Sequence, residues 1–301
     1  MGDGNVRNRK YTEILGIKID ALDMASSLEV IEGFIRSRTP HIVVTADSYC
    51  VTLAQKDREL REIVNSADLV TPDSAGVLLA ARLNGTPFAE RVSGVDMLVL
   101  LCERASRLGH RVFLLGAAPG VAETAAKNLT KRFPGLKIVG IQHGYFGPDE
   151  TDAVIKSIRD AQPDLLFVAF GIPMQEKWIS KHKDVLQVPV AMGVGGSFDV
   201  LSGKARRPAP PRMREPATPE DLDALALALQ APGAGMLQAL APARQAQLLG
   251  RDGARGSPQP RGQPVHALGL GVQPPLQRAL QALPGLLQLG QRLRARHAGQ
   301  L

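Results

Sequence analysis

One position divides the chain into two unlike parts. All 12 aromatic residues lie at or before Phe198, and beyond Arg206 there is no Phe, Trp, Tyr, Ile, Asn, Cys or Lys. Ala, Leu, Pro, Gly, Gln and Arg fill 82 of those last 95 positions, 13 of them with proline. Proline removes a helical N–H and clashes with the preceding turn, so long helices are excluded from most of this stretch. Without aromatic side chains, and almost without β-branched ones, it has little from which to pack a core. Residues 1–206 are therefore expected to form the folded domain, and residues 207–301 a mostly disordered low-complexity tail. Two segments of the tail, Asp221–Gln230 and Leu276–Leu293, have the spacing for short helices with a leucine face. The loss of seven residue types at one point is what a shifted reading frame of a GC-rich gene would produce; a divergent native tail is the alternative.

The same division relocates the charge. The net +7 invites an anionic partner, yet residues 1–206 hold 25 Lys and Arg against 24 Asp and Glu, while residues 207–301 hold 11 Arg against 5 acids. A nearly neutral domain gives no reason to expect nucleic acid. The two cysteines, Cys50 and Cys102, are too few for a disulfide framework or a four-cysteine zinc site and suit a reducing compartment. The polar start from Met1 to Glu13 argues against a secretory signal, and no apolar run approaches the roughly 18 residues of a spanning helix.

Within residues 1–206, apolar β-rich runs occur at Glu13–Ile19, His41–Ala46, Asp68–Thr71, Arg111–Leu115, Lys137–Ile141, Asp164–Phe170 and Val188–Val194. Helical spacing separates them at Met24–Ser37, Val51–Val64, Ala75–Leu83, Val95–Leu108, Val121–Phe133, Asp149–Ala161 and Met174–Val185. This alternation predicts an α/β fold, a Rossmann-like and mainly parallel sheet with helices on both faces. Ligands of such sheets bind at the carboxyl ends of the strands, so chemistry is sought in the loops that follow them.

Those loops carry the candidates. Thr45-Ala-Asp47 and Thr71-Pro-Asp73-Ser-Ala-Gly76 each follow a strand and bring a carboxylate to that edge, and Glu90-Arg-Val-Ser-Gly94 brings Arg91 to the start of a helix. One carboxylate beside one arginine suits a general base facing an anionic leaving group. The structural alternatives are helix caps for the aspartates and a surface ion pair for Arg91. Gly116-Ala-Ala-Pro-Gly120 resembles a diphosphate turn at a helix N-terminus, without the full Gly-x-Gly-x-x-Gly spacing. Phe170-Gly-Ile-Pro-Met-Gln-Glu-Lys-Trp178 places Gly171 in a turn and Gln175 at a helix start, where an amide can read a sugar hydroxyl or a uracil edge. Gly193-Val-Gly-Gly-Ser-Phe-Asp199 offers Gly195 and Gly196 for close backbone approach to a ligand, with Ser197 and Asp199 as contacts or, more commonly, caps. There is no P-loop, no Gly-x-Ser-x-Gly elbow and no clustered histidines, and Asp221-Leu-Asp223, the one Asp-x-Asp, falls in the tail.

Taken in order, Val43–Asp47, Ala67–Gly76, Glu90–Asp96, Phe113–Gly116, Phe170–Trp178 and Gly193–Asp199 resemble the WecG/TagA/CpsF glycosyltransferases across roughly residues 12–207. The resemblance implies an inverting, metal-independent transfer of a sugar, N-acetylmannosamine in the best-known case, from a UDP-sugar to a polyprenyl-diphosphate-linked GlcNAc. It implies no cofactor, a cytoplasmic enzyme peripheral to the inner membrane surface, and often a homo-oligomer. By that likeness Asp73 is the catalytic base, Thr45 lines its pocket, Arg91 offsets diphosphate charge, Gln175 positions the donor, and Gly195-Gly196 borders the nucleotide. Asp47 and Ser74 depart from the family's usual Asn and Gly, and the family's arginine- and aromatic-rich closing segment has no counterpart after Arg207. The competing expectations are a non-catalytic UDP-sugar-binding protein and, more distantly, a nicotinamide dehydrogenase using Gly116–Gly120.

Overall fold

The computed structural model describes residues 9–206; the tail, with its two helix expectations, lies outside the described residues. Eight strands form two sheets: a hairpin of β1 (Tyr11–Ile14) and β2 (Ile17–Asp20), and a six-stranded sheet in the order β4-β3-β8-β7-β5-β6. The six are β3 (His41–Ala46), β4 (Leu69–Pro72), β5 (Arg111–Gly116), β6 (Lys137–Gln142), β7 (Leu165–Ala169) and β8 (Val190–Gly193), every adjacent pair parallel. The α/β reading of the sequence holds. Sequence spacing alone does not give the strand order.

Two local expectations need correction. The run Glu13–Ile19 is not one strand, because Leu15 and Gly16 adopt φ of 50° and 77°, the geometry of a two-residue hairpin turn whose twist matches its flanking strands. The run Val51–Val64 is not one helix. It breaks into α2 (Ser48–Leu53) and α3 (Arg58–Ser66) because the Asp57 carboxylate accepts the Leu60 N–H at 3.0 Å and caps a new helix.

The remaining helices are α1 (Met24–Ser37), α4 (Ala75–Leu83), α5 (Gly94–Leu108), α6 (Val121–Arg132), α7 (Thr151–Ala161), α8 (Met174–Leu186) and a short α9 (Ser197–Ser202). Alternate strand residues face opposite layers. Val44, Val70, Leu115 and Val168 pack with α2, α3, α4, α7, α8 and the hairpin; Val43, Leu69, Leu114 and Phe167 pack with α1, α5, α6 and α9. After β7 the chain thus leaves toward one face through α8, and after β5 and β8 toward the other through α6 and α9. Neighbouring strands that exit to opposite faces leave a crevice at their carboxyl ends.

The opposite edge is closed by buried aspartates. Asp20, Asp68 and Asp164 accept the N–H groups of Val70, Ile42 and Arg111, each at 2.8 Å, near the starts of β4, β3 and β5. These bonds satisfy backbone donors that the sheet itself cannot, and leave the carboxyl edge as the place for ligands.

Candidate active site at the carboxyl edge of the sheet

The predicted site residues divide according to strand order. Thr45 is not in the loop but is the next-to-last residue of β3, while Asp47 follows that strand and Asp73 follows β4, so these three meet at one end of the crevice; Arg91 joins them because Val92 N–H donates to the Pro72 carbonyl at 2.9 Å. Gly195 and Gly196 follow β8, Gly171 and Gln175 follow β7, and Gly116 ends β5. From β4 to β5 is four strand spacings, roughly 19 Å at about 4.8 Å each. Gly116 and Asp73 therefore stand at opposite ends of the row.

Asp73 is the group most altered by its surroundings. Its Oδ2 accepts the Gly94 N–H at 2.7 Å, so the carboxyl sits against the first turn of α5 rather than capping its own helix. The cap of α4 is Ser74, whose hydroxyl accepts from Val77 N–H and meets the Ser48 hydroxyl at 2.8 Å. Loss of water around the half-buried Asp73 pushes its pKa up to about 7; the Gly94 bond, the Arg91 charge and the Ser93 hydroxyl pull down, while the Asp47 charge pushes further up. Desolvation prevails over the helix end and the arginine together.

Gly94 makes this packing possible. A Cβ there would lie 2.9 Å from Thr45 Oγ1 and 3.2 Å from Asp73 Oδ2, closer than carbon normally approaches either. The absent side chain lets α5 reach both residues at once.

Asp47 caps α2, its Oδ1 accepting the Cys50 N–H at 2.7 Å, and burial raises its pKa. Gln175 is only 3% exposed: its Oε1 accepts the Gly195 N–H at 2.9 Å and its Nε2 donates to Glu176 Oε1 at 2.8 Å. Its polar atoms are thus committed to protein partners, and its geometry acts first on the turn after β8. Gly195 has φ of 51°, and a Cβ on Gly195 or Gly196 would meet nothing within 4 Å, so this turn borders open space. Gly171 turns the chain out of β7 with φ of 77°.

At the far end, Gly116 has φ of 120°, and a Cβ would sit 2.5 Å from the Ala169 carbonyl oxygen. The close approach of β5 to β7 suffices to require glycine here. Ala117 follows with φ of 58°, its N–H donating to the same carbonyl at 2.9 Å, and α6 begins after Gly120. Neither cap expectation near α9 holds. Ser197 Oγ donates to the Val194 carbonyl, and Asp199 lies inside the first turn, 3.6 Å from Lys204 Nζ.

Sequence spacing places Glu176 only in the opening of a helix, beside Gln175. It is 2% exposed, its pKa is pushed up to about 7 first by burial, with Asp47 adding to the rise, and its Oε2 has no hydrogen-bond partner among the described residues. The signal available for it was an acid beside Gln175 on a helix that starts at the ligand edge. Tyr49 and Tyr145, 43% and 53% exposed, stand on segments after β3 and β6 and were not singled out either. Among the described residues no three His, Cys, Asp or Glu side chains are grouped as metal ligands would be, and no helix is long and apolar enough to cross a membrane.

Residues 12–217 match the family described as "Glycosyl transferase WecG/TagA/CpsF family", a match that spans the whole crevice and runs past Arg206. A relative from Staphylococcus aureus (strain NCTC 8325 / PS 47) is 32% identical over 203 residues, covering 66% of this chain and 79% of the relative. A second, from Staphylococcus aureus (strain MRSA252), has the same identity and coverage. Both are named N-acetylglucosaminyldiphosphoundecaprenol N-acetyl-beta-D-mannosaminyltransferase. Since the match covers more than half of the chain and every strand of the parallel sheet, the protein belongs to the WecG/TagA/CpsF family of glycosyltransferases.

Proposed function

We propose that this glycosyltransferase moves N-acetylmannosamine from a UDP-sugar to GlcNAc-diphosphoundecaprenol, with Asp73 as the general base. The observation that carries the reading is the Asp73 carboxyl, half-buried at the ligand edge, held by Gly94 N–H and raised to about 7 beside Arg91. A base titrating near neutrality is ionised often enough to act and still strong enough to take a hydroxyl proton.

In this reading Asp73 takes the proton of the acceptor hydroxyl as that oxygen bonds to the anomeric carbon. The bond from the anomeric carbon to the diphosphate oxygen breaks, and UDP leaves with the electron pair. Attack from the face opposite the leaving group inverts the anomeric configuration. Arg91 offsets the charge growing on the diphosphate, and the Thr45 hydroxyl borders the reacting sugar. In this reading the donor lies along the row of strand ends, sugar and diphosphate over β3 and β4, nucleoside extending past the Gly195-Gly196 turn toward Gly171 and Gly116. With β4 and β5 four strand spacings apart, roughly 19 Å at about 4.8 Å each, a diphosphate held by Arg91 at the β4 end leaves the Gly116 turn to the nucleoside end. The acceptor's lipid places the reaction at a membrane surface. No metal takes part in the step.

The test is transfer from a panel of UDP-sugars to a lipid-diphosphate-GlcNAc analogue, with and without chelator. Turnover with UDP-N-acetylmannosamine that survives EDTA is expected, and turnover with a different sugar only would refute the donor assignment. The second reading, a protein that binds UDP-sugar without turnover, is favoured by the lack of an aromatic- and arginine-rich segment after Arg207. UDP binding with no transfer to any acceptor would establish it.

A further inference from the structure

The buried Glu176 has no place in the step just described, yet its bonds lead to the ligand edge. Glu176 Oε1 accepts from Gln175 Nε2 at 2.8 Å, and Gln175 Oε1 accepts from Gly195 N–H at 2.9 Å. An amide has two ends of opposite character, and these two neighbours require it one way round. The carboxylate needs the NH2 and the backbone N–H needs the carbonyl. Reversed, the amide would set its NH2 against the Gly195 N–H and its oxygen against the carboxylate, leaving both buried contacts repulsive.

Burial holds the amide close to the end of β8, Gln175 being 3% exposed. A Cβ on Gly193 would lie 2.7 Å from Gln175 Nε2 and 2.9 Å from its Cδ, so the side chain is pressed against the end of β8. On its outer side the Gly195 turn meets nothing within 4 Å of a Cβ position, so the turn is not braced from that direction.

We propose that Glu176 is a positioning residue, which by fixing the orientation of the Gln175 amide sets the Gly195-Gly196 turn against the nucleotide. The inference rests on the nucleotide-sugar reading of the crevice and assigns a cause to the shape of one wall. With Oε1 engaged as acceptor, Oε2 is where a proton resides when the buried carboxyl is neutral, and neutral Glu176 still accepts from Gln175. An amide at this position offers the same acceptor oxygen; an apolar side chain offers none.

The experiment compares E176Q and E176M in the full chain, reading the Gly195 amide by nitrogen–proton NMR and UDP affinity by calorimetry. In E176M the Gly195 signal is expected to move and its hydrogen exchange to quicken at least tenfold, with UDP Kd rising at least tenfold. In E176Q both stay within about twofold of the unaltered protein. An unmoved Gly195 amide in E176M overturns the proposal, as does E176Q with damage equal to that of E176M, which would make the ionisable proton the point. Should E176M not fold, E176A takes its place as the variant without an acceptor oxygen, since it adds no atoms to the buried site, and an unmoved Gly195 amide there overturns the proposal equally. If the unaltered protein does not bind UDP, the nucleotide-sugar reading fails while the Gly195 amide still decides whether Glu176 sets the turn.

Discussion

Replacing Asp73 by Asn should abolish transfer and stabilise the protein in one stroke, and the two effects share a cause. Burial moves the Asp73 titration from 3.8 to about 7. Between these values the folded protein holds the proton more tightly than the unfolded chain does. Stability therefore falls as pH rises through that window, and the penalty is complete above about pH 7. At about 1.4 kcal/mol per pH unit the whole displacement corresponds to about 4 kcal/mol, an upper bound since the side chain keeps some solvent. An Asn oxygen can still accept the Gly94 N–H, but Asn forfeits the attraction of Arg91. A net gain of about 2 kcal/mol at pH 8, shrinking to nearly zero by pH 4, is the expected result of urea denaturation.

The kinetic side has its own magnitude. With a pKa of about 7, the ionised fraction rises from about 9% at pH 6 to about 91% at pH 8, so kcat should rise roughly tenfold over that interval. D73N should lose a factor of about 10^3 in kcat, within the range for a general base, and the remainder should show no such pH dependence. A folded D73N with more than a tenth of normal turnover would falsify the base assignment. A D73N no more stable than the unaltered protein at pH 8 would show that desolvation is not what raises the carboxyl.

Three further outcomes follow from the packing. Gly94→Ala puts a methyl 2.9 Å from Thr45 Oγ1 and 3.2 Å from Asp73 Oδ2; it should cost about 1–3 kcal/mol in denaturation and slow transfer more than tenfold by displacing the base. Gly116→Ala meets the Ala169 carbonyl oxygen at 2.5 Å and needs φ of 120°, so it should lower stability by at least about 2 kcal/mol, a loss that saturating UDP does not restore. Asp47→Asn keeps a good cap on α2 and removes a buried charge, so stability in urea denaturation should rise at pH 8 and change little below pH 4. NMR titration should also find Glu176 in that variant closer to its ordinary 4.5, because the Asp47 charge contributes to its rise.

What the sequence made legible follows from how far each signal reaches along the chain. Met24–Ser37 and Ala75–Leu83 are helices at the residues where the spacing puts them, because amphipathic periodicity is local. The parallel sheet with two covered faces follows from the alternation of elements. Strand order does not, since it depends on which crossovers pack together, and with it went the grouping of the site. Asp73 and Gly94 meet only because the loop before α5 returns to the end of β4, through Val92 N–H and the Pro72 carbonyl. Gly116 looked like a ligand turn from sequence; its neighbour Ala169 shows a packing need that no linear pattern reveals. An apolar run hides the turn at Leu15-Gly16, because leucine with φ of 50° is rare.

Two carboxyls at the ligand edge are both raised to about 7, and that shared value alone would make either of them the base. Exposure separates them. Asp73 is half-buried, so an acceptor hydroxyl can reach it, and its bonded partner is a backbone N–H that stays in place when the proton arrives. Glu176 is 2% exposed with one oxygen already bonded to Gln175, so a proton taken there would have no path to or from the acceptor without opening the wall. Direct proton transfer needs a heavy-atom approach of about 3 Å, or one bridging water, which only the first of the two permits. Asp47 connects them, since its charge raises both, and its ionisation is therefore felt at Asp73 and at Glu176 alike. Substituting Asp47 by Asn should shift the two titrations downward together, and a shift in only one would break that electrostatic link.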